Sequence, residues 1–346
     1  MIRRRMLTDE HITLKHGAGG QAMRALIEQV FAANWTAAPI DGIGLDAMDD
    51  GAALRIGQQW LVVTTDSHVI QPAFFPGGDI GRLAITGTVN DLAVMGATNV
   101  LALTCSVILE EGFPLRDLER IQQSLREACA EAGAVVVTGD TKVMGRGELD
   151  GIVLNTTGLG LTDRIVPDSG LRPGDRIIVT GTMGDHGLAV MATRHGLELD
   201  GELRSDVAPL NGLLQQALEV AHGHVVAMKD PTRGGLASAL HEMAEKSNVG
   251  IVLDETRVPV SPVVKAAGEL LGIDPLHVAN EGKAVLGVGP LAAHQVLDAL
   301  RHHPLGREAA IVGTCIPDHV GSVILDTGFG RRLLSEPEGE PLPRIC

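Results

Sequence analysis

The 346-residue chain contains no tyrosine, two tryptophans and five phenylalanines. With so few rings, its core must be packed from Ala, Val, Ile, Leu and Met, within a hydrophobic share of 45%. Basic charge is scarce too: the formal net charge is −15 and no Lys/Arg stripe interrupts it, which argues against a nucleic-acid partner. No apolar run reaches the roughly 18 residues that would span a membrane. "RRR" at positions 3–5 is not followed by the apolar stretch of a signal peptide. The four cysteines, at 105, 129, 315 and 346, form no CxxC and no paired spacing, so a disulfide framework is not indicated and a reducing cytoplasm fits. There is no GxxxxGK[ST] phosphate loop, and the 13 histidines contain no HExxH, so most read as surface residues. "GTMGDHG" after a strand lacks the G-x-G opening of a dinucleotide turn.

What the chain has in quantity is glycine, 43 residues, and this punctuates a mixed α/β pattern. Helical spacing marks "QAMRALIEQVFAANW", the largely apolar "GGDIGRLAITGTVNDLAVMGA" and the amphipathic "PLRDLERIQQSLREACAEAG", which Pro114 opens and Gly133 closes. "QWLVVTTDSHV", "NVLALTCSVIL", "AVVVTGD" and "GIVLNTTGLGL" read as strands. After the turn cluster at 168–176 the alternation resumes. Strands are expected at "RIIVTG", "HVVAMKD", "VGIVLDE", "AAIVGTC" and "SVILD". Helices are expected at "DHGLAVMATRHG", near 207–222, at "TRGGLASALHEMAEKS", near 262–271 and at "LAAHQVLDALRHH". Two α/β domains follow from this, with the boundary in the turn cluster.

The chain closes on "EPEGEPLPRIC", which cannot fold by itself. Pro337, Pro341 and Pro343 lack backbone donors, and the carboxylates between them repel. A solvated, semi-extended arm is expected, and eleven such residues reach about 35 Å. Cys346 at its tip is expected to be exposed and mobile, whereas Cys105, Cys129 and Cys315 read as small core residues.

Aspartates sit among small neighbours at the ends of the elements: Asp49 and Asp50 in "DDGAAL", Asp66 in "TTDS", Asp91 in "NDLAVMGA" and Asp140 in "TGDTKV". Taken singly, each suits a turn or cap. Asp91, which interrupts an apolar helix where an unpaired carboxylate is costly, and the strand end "VVVTGDTK" with Asp140 and Lys142 are favoured as site residues. Carboxylates gathered together call for a cation, and Mg²⁺ shared with nucleotide phosphates answers that need. Of Asp49 and Asp50, the second is preferred, because it immediately precedes the small-residue run. Glycine-rich stretches "HGAGGQ" and "DPTRGGLA" precede helices, where bare amides and Arg233 suit an anion.

In their order, "HGAGG", "TTDS", "FFPGGDIGRLA", "NDLAVMGA", "ILEEGFP", "VVVTGDTKV", "DPTRGGLA" and "NEGK" resemble the aminoimidazole-ribonucleotide-synthetase superfamily over nearly the whole chain. The terminal "PRIC" resembles its HypE family of hydrogenase maturation proteins. The resemblance implies a PurM-like two-domain fold. Residues 1–168 would bind ATP and pair with a second copy, building an intersubunit β-barrel; 169–334 would form a C-terminal α/β domain; and 335–346 would be a flexible tail ending in Cys346. It implies ATP held through Asn90, Asp91, Gly139, Asp140 and Asp230, with Mg²⁺ on Asp50, Asp66, Asp91 and Asp140. It implies that a carbamoyltransferase, HypF, loads a carbamoyl group onto the Cys346 sulfur, that ATP-dependent dehydration makes a thiocyanate, and that the cyanide passes to iron held by a HypC–HypD complex for [NiFe]-hydrogenase. Lys142 matches the family's lysine, to hold the activated oxygen or relay a proton. Glu281, in "NEGK", matches its glutamate, as base or relay.

Two other readings compete. One is a small-molecule kinase or synthetase of the same superfamily, with the terminal cysteine incidental; the absence of Cys from "KHGAGG" counts against the selenophosphate branch. The other is a non-catalytic carrier presenting Cys346, which would not need "ND" and "TGDTK".

Overall fold

Helix Ile80–Val94 is apolar on nearly every face and is buried along almost its whole length. Asp79 caps it, accepting from the N–H groups of Gly81 at 2.8 Å and Arg82 at 3.0 Å. Helix Leu115–Ala132 beside it is amphipathic, so it buries only Ile121, Leu125, Ala128 and Ala132 and stops at Gly133, whose φ of 64° suits a residue without Cβ. Both belong to a computed structural model that describes residues 9–34, 41–197, 201–336 and 345–346.

These helices share a core with a six-stranded sheet in the order 42–43, 52–56, 59–68, 152–162, 99–110, 136–144. All neighbours are antiparallel except the last two strands, which run parallel. Strand Val136–Met144 is therefore an edge. Almost every residue on it is exposed, and Val136, Val137 and Val143 are 40%, 59% and 67% accessible.

A second, seven-stranded sheet runs in the order 225–229, 285–288, 176–179, 310–316, 250–254, 323–326, 331–333. One core joins it to helices Asn211–Ala221 and Ala293–His302, and another joins it to helix Gly235–Ser247. The two halves also share apolar contacts. Leu188 and Met191 of helix Asp185–Arg194, with Val264 of helix Pro262–Leu271, enter the core of the first half; Ala93 and Val94 enter a core of the second.

The mixed α/β class and the long elements follow the sequence expectation. Strands Ala52–Ile56, Val285–Val288 and Arg331–Leu333 were not anticipated. Each is short, and the four residues of Val285–Val288 are buried on both faces, so no alternation marks them. The helix after the first glycines, Gly20–Leu26, continues through a π turn and a 3₁₀ turn to Asn34.

Candidate active site

Where the halves meet, four elements deliver carboxylates to one place. Asp66 comes from strand Gln59–His68, Asp91 from helix Ile80–Val94, Asp230 from the end of strand Val225–Lys229, and Glu281 from the turn before Val285–Val288. Thr64 Oγ1 stands 2.7 Å from Asp91 Oδ2 and 2.9 Å from the carbonyl of Asp50, tying strand, helix and loop together. Burial, then Asp66, Asp230 and Asp50, push the Asp91 carboxyl well above its ordinary range. Burial and then Asp50, opposed by Lys229, bring Asp230 to about 8. Glu281, only 3% exposed, is pushed well up by burial, then by Asp230, Asp206 and Asp66. Its Oε1 is buried without a hydrogen-bond partner among the described residues.

Mutual repulsion of this kind marks a site built for positive charge. Among the described residues, no three His, Cys, Asp or Glu side chains stand close enough to enclose an ion unaided. Mg²⁺ takes one or two carboxylates and completes its shell with water and phosphate oxygens. The hard oxygen donors here fit such an ion.

One wall of the site is an ion network. Lys229 pairs with Asp50 through a short contact and stands 3.4 Å from Glu242 and 3.8 Å from Asp168; Lys246 reaches Asp168 at 2.6 Å. Asp49 is turned away. Its oxygens accept the backbone N–H groups of Asp50 at 2.9 Å and Asp168 at 3.3 Å, and burial with Asp168 and Asp50 nearby brings it to about 7. The other wall is glycine. Arg233 donates to the Gly17 carbonyl at 3.0 Å, and a Cβ on Gly19, whose φ is +78°, would lie 2.9 Å from the Arg233 Cβ. The two glycine-rich stretches thus pack against each other.

Several expected site residues sit elsewhere or serve otherwise. Asp140 and Lys142 lie on the edge strand, paired with each other at 2.7 Å, with side chains 59% and 66% exposed. In register, Asp66 faces Thr156, Thr156 faces Cys105, and Cys105 faces Gly139. Three strand spacings, roughly 14 Å, therefore separate Asp66 from the start of that motif within one chain. The Asn90 side chain is taken up by backbone: its amide nitrogen donates to the carbonyls of Ala208 and Glu281, and its oxygen accepts from Leu210 N–H. Gly139 answers a packing need, since a Cβ there would lie 2.0 Å from the Cys105 carbonyl oxygen. The Gly184 N–H of "GTMGDHG" donates to Asn280 Oδ1 at 2.8 Å, so that amide is already used.

The tail departs most from expectation. Its base is held: His241 and His277 reach the carbonyls of Leu334 and Ser335 at 2.8 and 3.1 Å, and Glu336 forms a short ion pair with Arg24. The middle, 337–344, lies outside the described residues, including Glu340 and Arg344. At the tip, Ile345 is 1% exposed and Cys346 is half-buried rather than exposed. His186 Nε2 is 2.7 Å from the Ile345 carbonyl, and the Val69 N–H donates to the Cys346 carbonyl at 3.1 Å. Burial of Ile345 within the apolar core of the first half supplies what the proline-rich composition did not announce. Cys315 is buried as expected, whereas Cys105 and Cys129 are half-buried.

The two halves also match known sequence families. The family model of the AIR synthase related protein N-terminal domain matches residues 48–162, and that of the C-terminal domain matches 172–326. The carbamoyl dehydratase HypE of Cupriavidus necator is 48% identical over 339 residues, covering 97% of this chain and 95% of that protein. The chain belongs to the AIR synthase-related family, in its HypE branch. Among solved structures, a HypE–HypF complex is 42% identical with a TM-score of 0.84, covering 90% of this chain and 100% of that one. HypE in complex with ATP is 41% identical with a TM-score of 0.80, covering 97% and 100%.

Within this HypE-branch chain, the residues that sequence reading passed over are those that set the pocket's shape. Asp206 Oδ1 accepts the Glu281 N–H at 3.0 Å, and Lys283 stands 3.2 Å from Oδ2. Lys229, Asp168, Lys246 and Glu242 form the ion wall, and His186 with Ser205 meets the tail. Lys283 closes the "NEGK" motif and was the one available signal. His16, His68 and His186, which the sequence did not single out, are all buried. Among the described residues no helix is long and apolar enough to cross a membrane.

Proposed function

We propose that this chain is an ATP-dependent carbamoyl dehydratase acting on its own C-terminal cysteine, supplying the cyanide ligand of the [NiFe]-hydrogenase iron. The observation that carries the reading is the seating of the terminal dipeptide beside the acidic pocket. Ile345 is bonded to His186, His186 to Ser205, and the next residue, Asp206, holds the Glu281 N–H. A kinase for a free metabolite has no use for a terminal thiol seated there, and a carrier has no use for the carboxylates. The ATP-bound and HypF-bound HypE structures support ATP as co-substrate and HypF, the carbamoyltransferase, as loading partner. A HypC–HypD complex is the proposed cyanide acceptor. The reaction needs a free thiol, which makes a reducing cytoplasm the proposed setting.

The chemistry balances as follows. On Cys346–S–C(=O)–NH₂, the carbonyl oxygen takes the γ-phosphoryl group of ATP, and ADP leaves. One N–H proton departs as the C–N bond becomes double. The second departs as the C–O bond breaks, phosphate leaves, and S–C≡N remains. Glu281, whose buried Oε1 has no hydrogen-bond partner among the described residues and whose proton affinity burial raises, is the proposed base. Lys142 is the proposed cation at the oxygen. Mg²⁺, when bound, would shield the phosphates; one or two carboxylates among Asp50, Asp66 and Asp91 would hold it, with Asp140 coming from a second copy.

Because Asp140 and Lys142 lie on an open strand edge, we assign them to the pocket of a second copy. Unpaired backbone and exposed valines make that edge a pairing surface. The proposed units are 1–168 for nucleotide and dimer, 169–334 for the C-terminal α/β domain and 335–346 for the tail.

Intact-mass spectrometry tests the proposal. After incubation with the carbamoyl-loading partner, the chain gains one carbamoyl group; ATP then removes the mass of one water. Retention of the carbamoyl mass with ATP present rejects the dehydratase reading.

A further inference from the structure

Two hydrogen bonds that hold the tip of the tail are made to its main chain. The Ile345 carbonyl can only accept, so His186 Nε2 carries the ring proton, and Nδ1 must accept. Its partner is Ser205 Oγ at 2.7 Å, which donates to Nδ1 while accepting the Val207 N–H at 3.1 Å. The hydroxyl therefore fixes the tautomer that the carbonyl requires. Phe75 meets the imidazole edge-on, with ring centroids 5.3 Å apart, and holds its plane. One residue further on, the Val69 N–H holds the Cys346 carbonyl. Burial depresses the His186 pKa, which keeps the ring neutral.

From this geometry we propose that His186, oriented by Ser205, is a docking clamp that recognises the backbone carbonyl of the penultimate residue, Ile345, and so positions the Cys346 sulfur. Carbonyls on both sides of the Cys346 side chain's anchor point are held, and the clamp's hydrogen bond is made to backbone, so it does not depend on what the sulfur carries. It therefore serves thiol, thiocarbamate and thiocyanate forms of the tail alike. Protonation of the ring would keep the Nε2–H bond, so the clamp is a positioning device and not a pH switch. Its use in catalysis rests on the dehydratase reading; its existence does not.

The full-length chain, without ATP or partner, is treated with iodoacetamide, and each cysteine is followed by mass spectrometry. Loss of one hydrogen bond to a buried carbonyl shifts the docking equilibrium roughly three- to tenfold. His186→Ala is expected to speed Cys346 alkylation by that factor, with Cys105, Cys129 and Cys315 unchanged. His186→Gln, which keeps a donor for the carbonyl, is expected to restore most of the protection. An unchanged Cys346 rate in His186→Ala overturns the clamp. If Cys315 also becomes reactive, the fold has loosened, and Ser205→Ala decides instead: a roughly twofold or larger rise at Cys346 alone supports the clamp, and no rise overturns it. A second arm follows carbamoyl loading and water loss. His186→Ala should load at the parent rate and lose water more slowly. If the parent loses no water, the dehydratase reading fails, while alkylation still decides the clamp.

Discussion

The backbone N–H of Glu281 donates to Asp206 at 3.0 Å, and Lys283 stands 3.2 Å from the other oxygen of the same carboxylate. One aspartate thus sets the turn that carries the proposed base. Asp206→Ala should release that turn without touching the tail's thiol. Loading of carbamoyl should stay at the parent rate, and dehydration should slow on the order of 10- to 100-fold, as for other residues that orient a catalytic group. Parent-like water loss, followed by intact mass, would separate Asp206 from the chemistry.

Asp91→Asn removes one charge from the repelling group with little change of shape. ATP hydrolysis should fall on the order of 10- to 100-fold, while the melting temperature of the metal-free protein stays level or rises, because a costly buried charge is gone. The pH dependence follows the same logic. Asp49 and Asp230 have folded pKa values of about 7 and about 8, above the unfolded carboxylate value near ~4. Between those limits the native state binds more protons than the unfolded state, so stability is greatest at the acid end and is lost as pH rises through the folded values. Differential scanning calorimetry with EDTA should show a falling melting temperature from about pH 5 to 8.5, less steep in Asp91→Asn. A rising profile contradicts the carboxylate pocket.

Lys142→Ala and Glu281→Gln should each accept carbamoyl and then stall, whereas Cys346→Ala should accept none. Mixing the two stalled variants tests the assignment of Lys142 to the opposite pocket. Half the dimers are then mixed, and one of their two sites has both groups intact, so about a quarter of parental dehydration should return. No recovery after subunit exchange is verified by light scattering and tagged capture would place Lys142 in its own chain's pocket or outside the reaction.

The cysteines should differ in reactivity at pH 8. Burial, then Asp175, pushes the Cys315 thiol up to about 12, so almost none is thiolate, and thiolate is the reacting form. Burial also raises Cys105 and Cys129. Alkylation of the native chain should begin at Cys346 and reach Cys315 last, only after denaturation. Early labelling of Cys315 would contradict the packing around strand Ala310–Ile316.

The sequence by itself determined the alternating α/β order, because helix Leu115–Ala132 and strand Ile152–Thr162 carry their periodicity locally, with Pro and Gly at their ends. It also exposed Asp91 as a carboxylate out of place on an apolar helix, and it drew attention to Cys346 at the terminus. Tertiary structure decided what these residues meet. Asp206 and Glu281 are 75 positions apart, and His186 and Ile345 are 159 apart; no local pattern records such pairings, since only the folding of the C-terminal half and the return of the tail onto it bring these residues together. The same holds for the tail, whose proline- and glutamate-rich composition predicts solvation. Its last two residues are seated because one isoleucine finds an apolar slot and two carbonyls find donors, contacts that exist only once the rest of the chain has folded.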